Sequence, residues 1–203
     1  MRFKLFVPYI LSVCFFTAAL PAFSQVAPAY HAQALQLTVG VGPSSYNVDW
    51  GHGPMYGGTI WADWYPGKIQ SFAHGLGIEA EARDISLHQN CSPPGFCPQT
   101  NMRQDTAGGG AVYNWRLFGR FHPYVKFLVE DGSVDFYPLP GYSHDTRTLL
   151  APGGGFEYRF YGPLLVRADY EYQNWLGKLL GSTLNPEGIT VGVAYDFSHP
   201  QGR

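Results

Sequence analysis

The sequence predicts an all-β fold, an eight-stranded antiparallel β-barrel whose outer wall faces lipid. Three observations lead there. Segments of strict apolar/polar alternation recur along the chain, charged residues are scarce at 14% against 16% aromatics, and 25 Gly and 16 Pro interrupt the chain too often for long helices. Alternation of period two sends successive side chains to opposite faces of a strand, so each such segment is two-faced.

Residues 1–24 stand apart from this pattern. Arg2 and Lys4 precede an apolar run, and Ala22 and Ser24 occupy the small-residue positions that signal peptidase reads. A cleaved secretory signal over 1–24 and one barrel domain over 25–203 are therefore expected. Cys14 follows Val13, which is too bulky for a lipoprotein cleavage box, so lipidation is not expected. No later segment reaches the roughly 18 apolar residues that a spanning helix needs.

Eight candidate strands follow in order. The first runs over Leu35–Val41 (LQLTVGV) and the second over Gly58–Tyr65 (GTIWADWY). The third, GLGIEAEARDI, sets Leu76, Ile78, Ala80 and Ala82 against Glu79, Glu81 and Arg83. Gln104–Trp115, Pro123–Glu130 and Thr148–Phe160 supply the fourth to sixth. In the seventh, LLVRADYEYQNW, Leu164, Val166, Ala168, Tyr170 and Tyr172 oppose Arg167, Asp169, Glu171 and Gln173. The eighth, GITVGVAYDF, opposes Ile189, Val191, Val193, Tyr195 and Phe197 to Thr190, Gly192, Ala194 and Asp196. An even number suits closure into a barrel.

The connections differ between the two ends. After the second, fourth and sixth strands they carry Tyr65-Pro66-Gly67, Phe118-Gly119-Arg120 and Tyr161-Gly162-Pro163, the last two of them tight. The other connections, around Tyr46 to Tyr56, His88 to Asn101, Gly132 to Asp145 and Trp175 to Glu187, are longer and rich in Gly, Pro, Ser and Asn. Turns at one end and loops at the other are the habit of transmembrane barrels. A soluble sandwich or lipocalin-like barrel would show the same alternation. Two features favour the membrane barrel. Its polar positions mix both signs at close register, as in Arg167 with Asp169 and Glu171, and its apolar faces end in aromatics such as Trp64, Tyr113, Trp115, Phe160, Tyr195 and Phe197.

The stretches GRFHPYVKF, PGGGFEYRFYGPLLVRADYEYQ and GITVGVAYDF, in this order, resemble the eight-stranded outer-membrane barrels of the OmpA-like and opacity-protein kind. The resemblance covers residues 25–203. It implies residence in the outer membrane of a Gram-negative bacterium, contact with outer-membrane lipid, and Phe197 as the aromatic that the barrel-assembly machinery reads. It also implies a stand-alone barrel without the peptidoglycan-binding domain of two-domain members. A monomer is expected, and a net charge of −2 with pI near 6.4 leaves no basic footprint for nucleic acid.

In such a barrel the polar faces point inward. Glu79, Glu81, Arg83, Lys126, Glu130, Glu157, Arg159, Arg167, Asp169, Glu171 and Asp196 then form a lumen charge set. Eight strands leave an interior just wide enough for side chains to fill, so these charges are expected to pair and plug it. The glycine triplets 108–110 and 153–155 imply bends or the close approach of a large lumen side chain.

A structural or surface-interaction role follows, with a small passive channel, or a lipid A-modifying acyl hydrolase, as alternatives. No catalytic residue is expected. Ser143 and His144 are adjacent and so fall on opposite faces, and Asp84, Ser86 and His88 share a face but match no acyl-hydrolase motif. Histidines 31, 52, 74, 88, 122, 144 and 199 lack metal-site spacing, so neither metal nor cofactor is expected. Surface ligands would meet the loop aromatics Tyr46, Trp50, Tyr56, Phe96, Phe136, Tyr137, Tyr142 and Trp175. Cys91 and Cys97, in CSPPGFC, lie too far apart for a CxxC redox motif and are too few for zinc; in an oxidising extracellular loop they are expected to close a disulfide.

Overall fold

A computed structural model of the chain describes residues 36–48, 53–66, 75–87, 101–115, 119–139, 141–178 and 183–198. The expected signal segment, the loop with Cys91 and Cys97, and Trp50 and Phe96 lie outside the described residues. The strands are β1 (Leu37–Asn47), β2 (Pro54–Trp64), β3 (Leu76–Leu87), β4 (Asn101–Asn114), β5 (Phe121–Leu139), β6 (Gly141–Tyr161), β7 (Leu164–Tyr172), β8 (Asn174–Trp175) and β9 (Glu187–Asp196). Each long strand pairs antiparallel with its neighbour. β1 pairs with β9, and the β5–β6 pairing completes a closed ring of eight long strands, with β8 a short continuation of β7 that pairs with β6. Closure removes the open edges that would otherwise seek partners.

Parity decides the two faces. Along β3 the burial alternates without a break, with Gly77, Glu79, Glu81, Arg83, Ile85 and Leu87 inside and Leu76, Ile78, Ala80, Ala82 and Asp84 outside. β9 follows the same rule, Thr190 and Ala194 buried against Ile189, Val191 and Val193 in the open. From Leu76 to Arg83 and along β9 from Gly188 the charged residues are thus buried and the branched aliphatic ones exposed, the reverse of a soluble domain. Ile60 is 57% exposed and Ile78 55%, whereas Glu79 is 0% exposed. Along β5 the outward run Phe121, Pro123, Val125, Phe127 and Val129 spans about 26 Å of strand, enough for the apolar band of a membrane barrel.

Aromatics border this band. Trp64, Trp115, Phe121, Tyr158, Phe160 and Phe197 stand outward at the end with tight turns, and Tyr56, Tyr170 and Tyr172 at the end with loops. Neighbouring rings touch, Tyr113 to Trp115 at 4.9 Å and Phe121 to Phe156 at 5.2 Å between centroids. At the turn end, Gly119 and Gly162 have φ of 68° and 50°, the left-handed region that glycine enters at no steric cost.

Several strands are longer than the sequence pattern suggests. β1 continues six residues past Val41, β2 begins at Pro54, and β5 and β6 continue through the expected Gly132–Asp145 loop. Gly, Pro and Ser at these places resemble loop text, but ladder pairing with the neighbouring strand overrides local propensity. The β5–β6 hairpin consequently rises well beyond the apolar band.

The long strands change the position of two aromatics. Tyr46 and Trp175, expected in exposed loops, are 1% and 2% exposed and point inward. Trp175 lies over Gly132, where an added Cβ would stand 2.4 Å from its Cη2. Glycine seats Trp61 in the same way: a Cβ on Gly40 or Gly192 would meet its ring at 2.3 or 2.6 Å. In the triplets, a Cβ on Gly108, Gly110 or Gly155 would strike neighbouring backbone, and Gly153 faces the Lys126 stem at 3.0 Å.

The interior is layered. Near the turn end lie Tyr65, Val112 and Tyr124, and Trp61 with Leu165 and Ala194. At the loop end Tyr46, Val48, Met55, Ile85, Leu87, Met102, Leu128, Val134, Leu149, Ala151, Trp175 and Leu184 form one apolar plug. Between the two lies a charged layer.

Candidate functional site

The charged layer is assembled from inward positions of β2, β3, β5 and β7, whose polar faces meet across the lumen. Three cations organise it. Arg167 donates from Nη2 to Glu79 Oε2 at 2.7 Å, from Nη1 to Asp63 Oδ2 at 3.1 Å and from Nε to the Tyr124 hydroxyl at 2.6 Å. Its guanidinium also lies 4.3 Å from the Tyr124 ring centroid and 4.9 Å from that of Trp61.

Lys126 Nζ stands at the centre of four carboxylates: Asp169 at 2.5 Å, Glu81 at 2.6 Å, Glu171 at 2.8 Å and Glu79 at 3.3 Å. Oxygens of Glu81, Asp169 and Glu171 all lie within 4.8 Å of one another, a spacing that could hold a metal ion. The lysine ammonium fills that cage. Arg83 donates to Glu171 Oε1 at 2.7 Å, to Thr59 at 3.0 Å and to Glu81, while its guanidinium rests 4.3 Å from the Tyr46 ring centroid. Above it, Gln104 donates to Gln173 Oε1 at 2.7 Å, Gln173 to Glu171 Oε1 at 3.1 Å, and Trp175 Nε1 to Gln173 Oε1 at 3.2 Å. This chain joins the charged layer to the apolar plug.

The structure thus brings Glu79, Glu81, Arg83, Lys126, Arg167, Asp169 and Glu171 into one network. Arg159 and Asp196 pair separately at the turn end, at 2.5 Å, where Arg159 also donates to the Gly162 carbonyl. Glu157 accepts from Asn114 Nδ2 at 2.9 Å, and Glu130, 1% exposed, lies outside the described ion pairs with Thr106 beside it. Sequence reasoning missed Asp63, although its parity within GTIWADWY places it inward. It also missed Tyr46, Trp61 and Tyr124, whose rings cover guanidinium surface that carboxylates leave open, while the Tyr124 hydroxyl accepts from Arg167 and the Tyr46 hydroxyl donates to Glu171 Oε1 at 3.3 Å.

Among the described residues of the outer wall, charge reappears beyond the apolar band. Arg103 bridges Asp84 and Asp105 at 2.9 and 3.2 Å, and Thr148 donates to Asp131. Higher on the β5–β6 hairpin, His144 bonds Asp135 at 2.7 Å through Nδ1 and Thr146 at 3.2 Å through Nε2. The order hydroxyl, imidazole, carboxylate matches a nucleophile relay in connectivity, but the His144 side chain is 45% exposed to water. Asp84 and Ser86 face outward on β3, and His88 lies outside the described residues. His122 Nε2 donates to the Gly119 carbonyl at 2.8 Å and braces the turn. Where β1 and β7 end and β9 begins, Asn47, Val48, Tyr172, Asn185 and Glu187 line a cleft of about 460 Å³, with the Tyr170 hydroxyl donating to Glu187 at 2.7 Å.

Comparison with known proteins follows this geometry. A family model for the outer membrane protein beta-barrel domain matches residues 15–197. Neisserial surface protein A (NspA) superposes with a TM-score of 0.63 at 15% identity, over 79% of this chain and 97% of that one. Ail, the attachment invasion locus protein of Yersinia pestis, gives 0.55 at 16%, over 78% and 96%, and OprG from Pseudomonas aeruginosa 0.51 at 12%, over 80% and 96%. At these identities the likeness is one of fold. No curated protein matches the chain by sequence.

Proposed function

Because this chain belongs to the outer membrane protein beta-barrel domain family, we propose that it is a closed surface barrel of the Gram-negative outer membrane, structural or adhesive in role and not a conduit. One observation carries this reading: the lumen is obstructed twice. Glu79, Glu81, Arg83, Lys126, Arg167, Asp169 and Glu171 are each no more than 5% exposed, and an apolar plug sits on the loop side of them. An ion entering would have to cross packed hydrocarbon and then displace paired charges, each step costing several kcal/mol.

What the barrel offers to partners is its outside. Its apolar wall suits outer-membrane lipid, and the absence of charge between the aromatic rings, among the described outward positions, suits a single chain surrounded by that lipid. Phe197, 53% exposed at the barrel seam with its amide donating to the Leu37 carbonyl at 2.9 Å, is an accessible aromatic, which supports its reading as the residue that the assembly machinery recognises. Above the membrane, the β5–β6 hairpin and the Tyr172–Glu187 cleft supply hydrogen-bonding side chains for surface ligands.

Planar-bilayer recording of the folded protein tests the reading. No discrete conductance steps are expected; steps that vanish on changing Arg167 or Glu171 would replace it with a small passive channel. Mass spectrometry of lipid A from overexpressing cells is expected to show unmodified acylation. Loss of an acyl chain that depends on His144 or Thr146 would make the protein an acyl hydrolase instead.

A further inference from the structure

At the loop end of the barrel seam, three strands contribute to one polar row on the outer wall. Asn47 of β1 pairs with Glu187 of β9, and Glu187 with Tyr172 of β7, so the three residues share a single rung. All three face outward, while Tyr46, Gly188 and Glu171 next to them in the chain are buried. One outward step toward the membrane is the rung of Ser45, Ile189 and Tyr170, where the aromatic border meets the apolar wall. The polar row therefore stands just above the hydrocarbon band, at the level of lipid headgroups.

The chain that leads into β9 is fixed before the strand begins. The carbonyls of Pro186 and Leu184 accept from the amides of Gln173 at 2.8 Å and Trp175 at 3.2 Å, and Leu184 is seated in the apolar plug. Asn185 alternates with these two buried neighbours, which sets it on the same side as Glu187. Together with Asn47, Val48 and Tyr172 they line the cleft of about 460 Å³. Hydrogen-bonded backbone thus holds its polar groups in place before any ligand arrives, which lowers the ordering cost of binding.

The lining selects by exclusion as well as by contact. Glu187 is the one charged residue of the five, so a phosphate, sulfate or carboxylate ligand would meet an anion and no lining cation to offset it. Each asparagine amide both donates and accepts, and the Glu187 carboxylate accepts, oriented by the Tyr170 hydroxyl that donates to Oε2 at 2.7 Å. Tyr172, 37% exposed, adds aromatic surface. Vicinal hydroxyls, which donate and accept together, match amides beside a carboxylate, and the C–H face of a sugar ring matches the tyrosine ring. A lone ammonium would engage the carboxylate and leave the amide donors unused. An acyl chain would strip water from all three polar side chains and return no hydrogen bond.

We propose that the seam cleft binds a neutral saccharide, with Tyr172 as its stacking surface and Asn47, Asn185 and Glu187 as its hydrogen-bonding partners. The cleft volume falls within the roughly 300–1,000 Å³ of small-ligand sites. The inference rests on the surface role proposed above and supplies the chemistry of its ligand. The sugar has two possible sources, a lipid of the surrounding leaflet or a glycan presented from outside the cell.

The test has two arms, both on the full chain. In one, the protein refolded in a detergent without a sugar headgroup is applied to an array of neutral, acidic and amino-substituted oligosaccharides. In the other, it is refolded into vesicles of zwitterionic lipid with or without a glucosyl diacylglycerol, and the temperature at which the compact gel form is lost is read. Retention on neutral glycans above the other classes supports the proposal with an external source, and a higher temperature with the glycolipid supports it with the leaflet as source. In the responding arm Tyr172→Ala is expected to weaken binding by about tenfold or to abolish the shift, whereas Tyr172→Phe, which keeps the ring, retains most of either. Should Tyr172→Ala not fold, Glu187→Gln takes its place, with weaker binding expected. No response in either arm, retention confined to acidic or amino-substituted glycans, or an undiminished response in the variant that folds would overturn the inference. Bilayer conductance is a separate reading: channel steps would end the closed-barrel role, and lost sugar binding with a silent bilayer would end this inference alone.

Discussion

Arg167 shows what a buried charge costs and supplies. Its side chain is 2% exposed, its donors reach Asp63, Glu79 and Tyr124, and two rings cover its faces. Removing one member of such a set leaves the others buried and uncompensated. Arg167→Ala is therefore expected to lower stability by about 3–5 kcal/mol, read as a shift in the denaturant midpoint of the refolded barrel. Arg103 is the contrasting case: it also pairs with two carboxylates, but its side chain is 52% exposed in water. Arg103→Ala should leave the same midpoint unchanged. Which residues line the lumen was largely legible from parity, and Asp63 was legible by the same rule. Tyr46 and Trp175 were not, because aromatics set among Ser, Asn and Gly resemble loop residues until the strand is seen to continue beneath them.

At the level of the strand, β5 carries both environments along one face. From Phe121 to Val129 its outward side chains are apolar, and the next three outward residues, Asp131, Ser133 and Asp135, are polar. An arginine at Phe127 would lie near mid-membrane and should cost about 2–4 kcal/mol, whereas Asp131→Arg, one outward position past the band, should cost about 0–1 kcal/mol. Equal costs in denaturant titrations of the two variants would show that the band is misplaced. Alternation made the membrane portion of β5 readable as Pro123–Glu130. Its extension to Leu139 was not, because pairing with β4 up to Asn101 and with β6 depends on strands distant in sequence.

For the whole barrel, two different materials close one lumen. The apolar plug is packed like the core of a soluble protein, with Leu128, Leu149 and Met55 all at 0% exposure. Leu149→Ala is accordingly expected to destabilise the barrel by about 2–5 kcal/mol. It should do so without producing conductance, because the charged layer beneath remains shut; channel steps in this variant would show that the plug alone seals the barrel. The sequence by itself determines that the chain makes two-faced strands and which residues share each face, since both follow from a period of two, while the mixed-sign polar positions and the aromatics that end the apolar faces turn the aliphatic face toward lipid and the charges inward. Only the tertiary structure decides which carboxylate meets which cation. Arg83 on β3 reaches Glu171 on β7, and Lys126 on β5 gathers carboxylates from both, through contacts that cross the lumen between strands that are not neighbours in the ring. Those meetings depend on the stagger and closure of the whole ring, quantities to which every strand contributes and no single segment encodes.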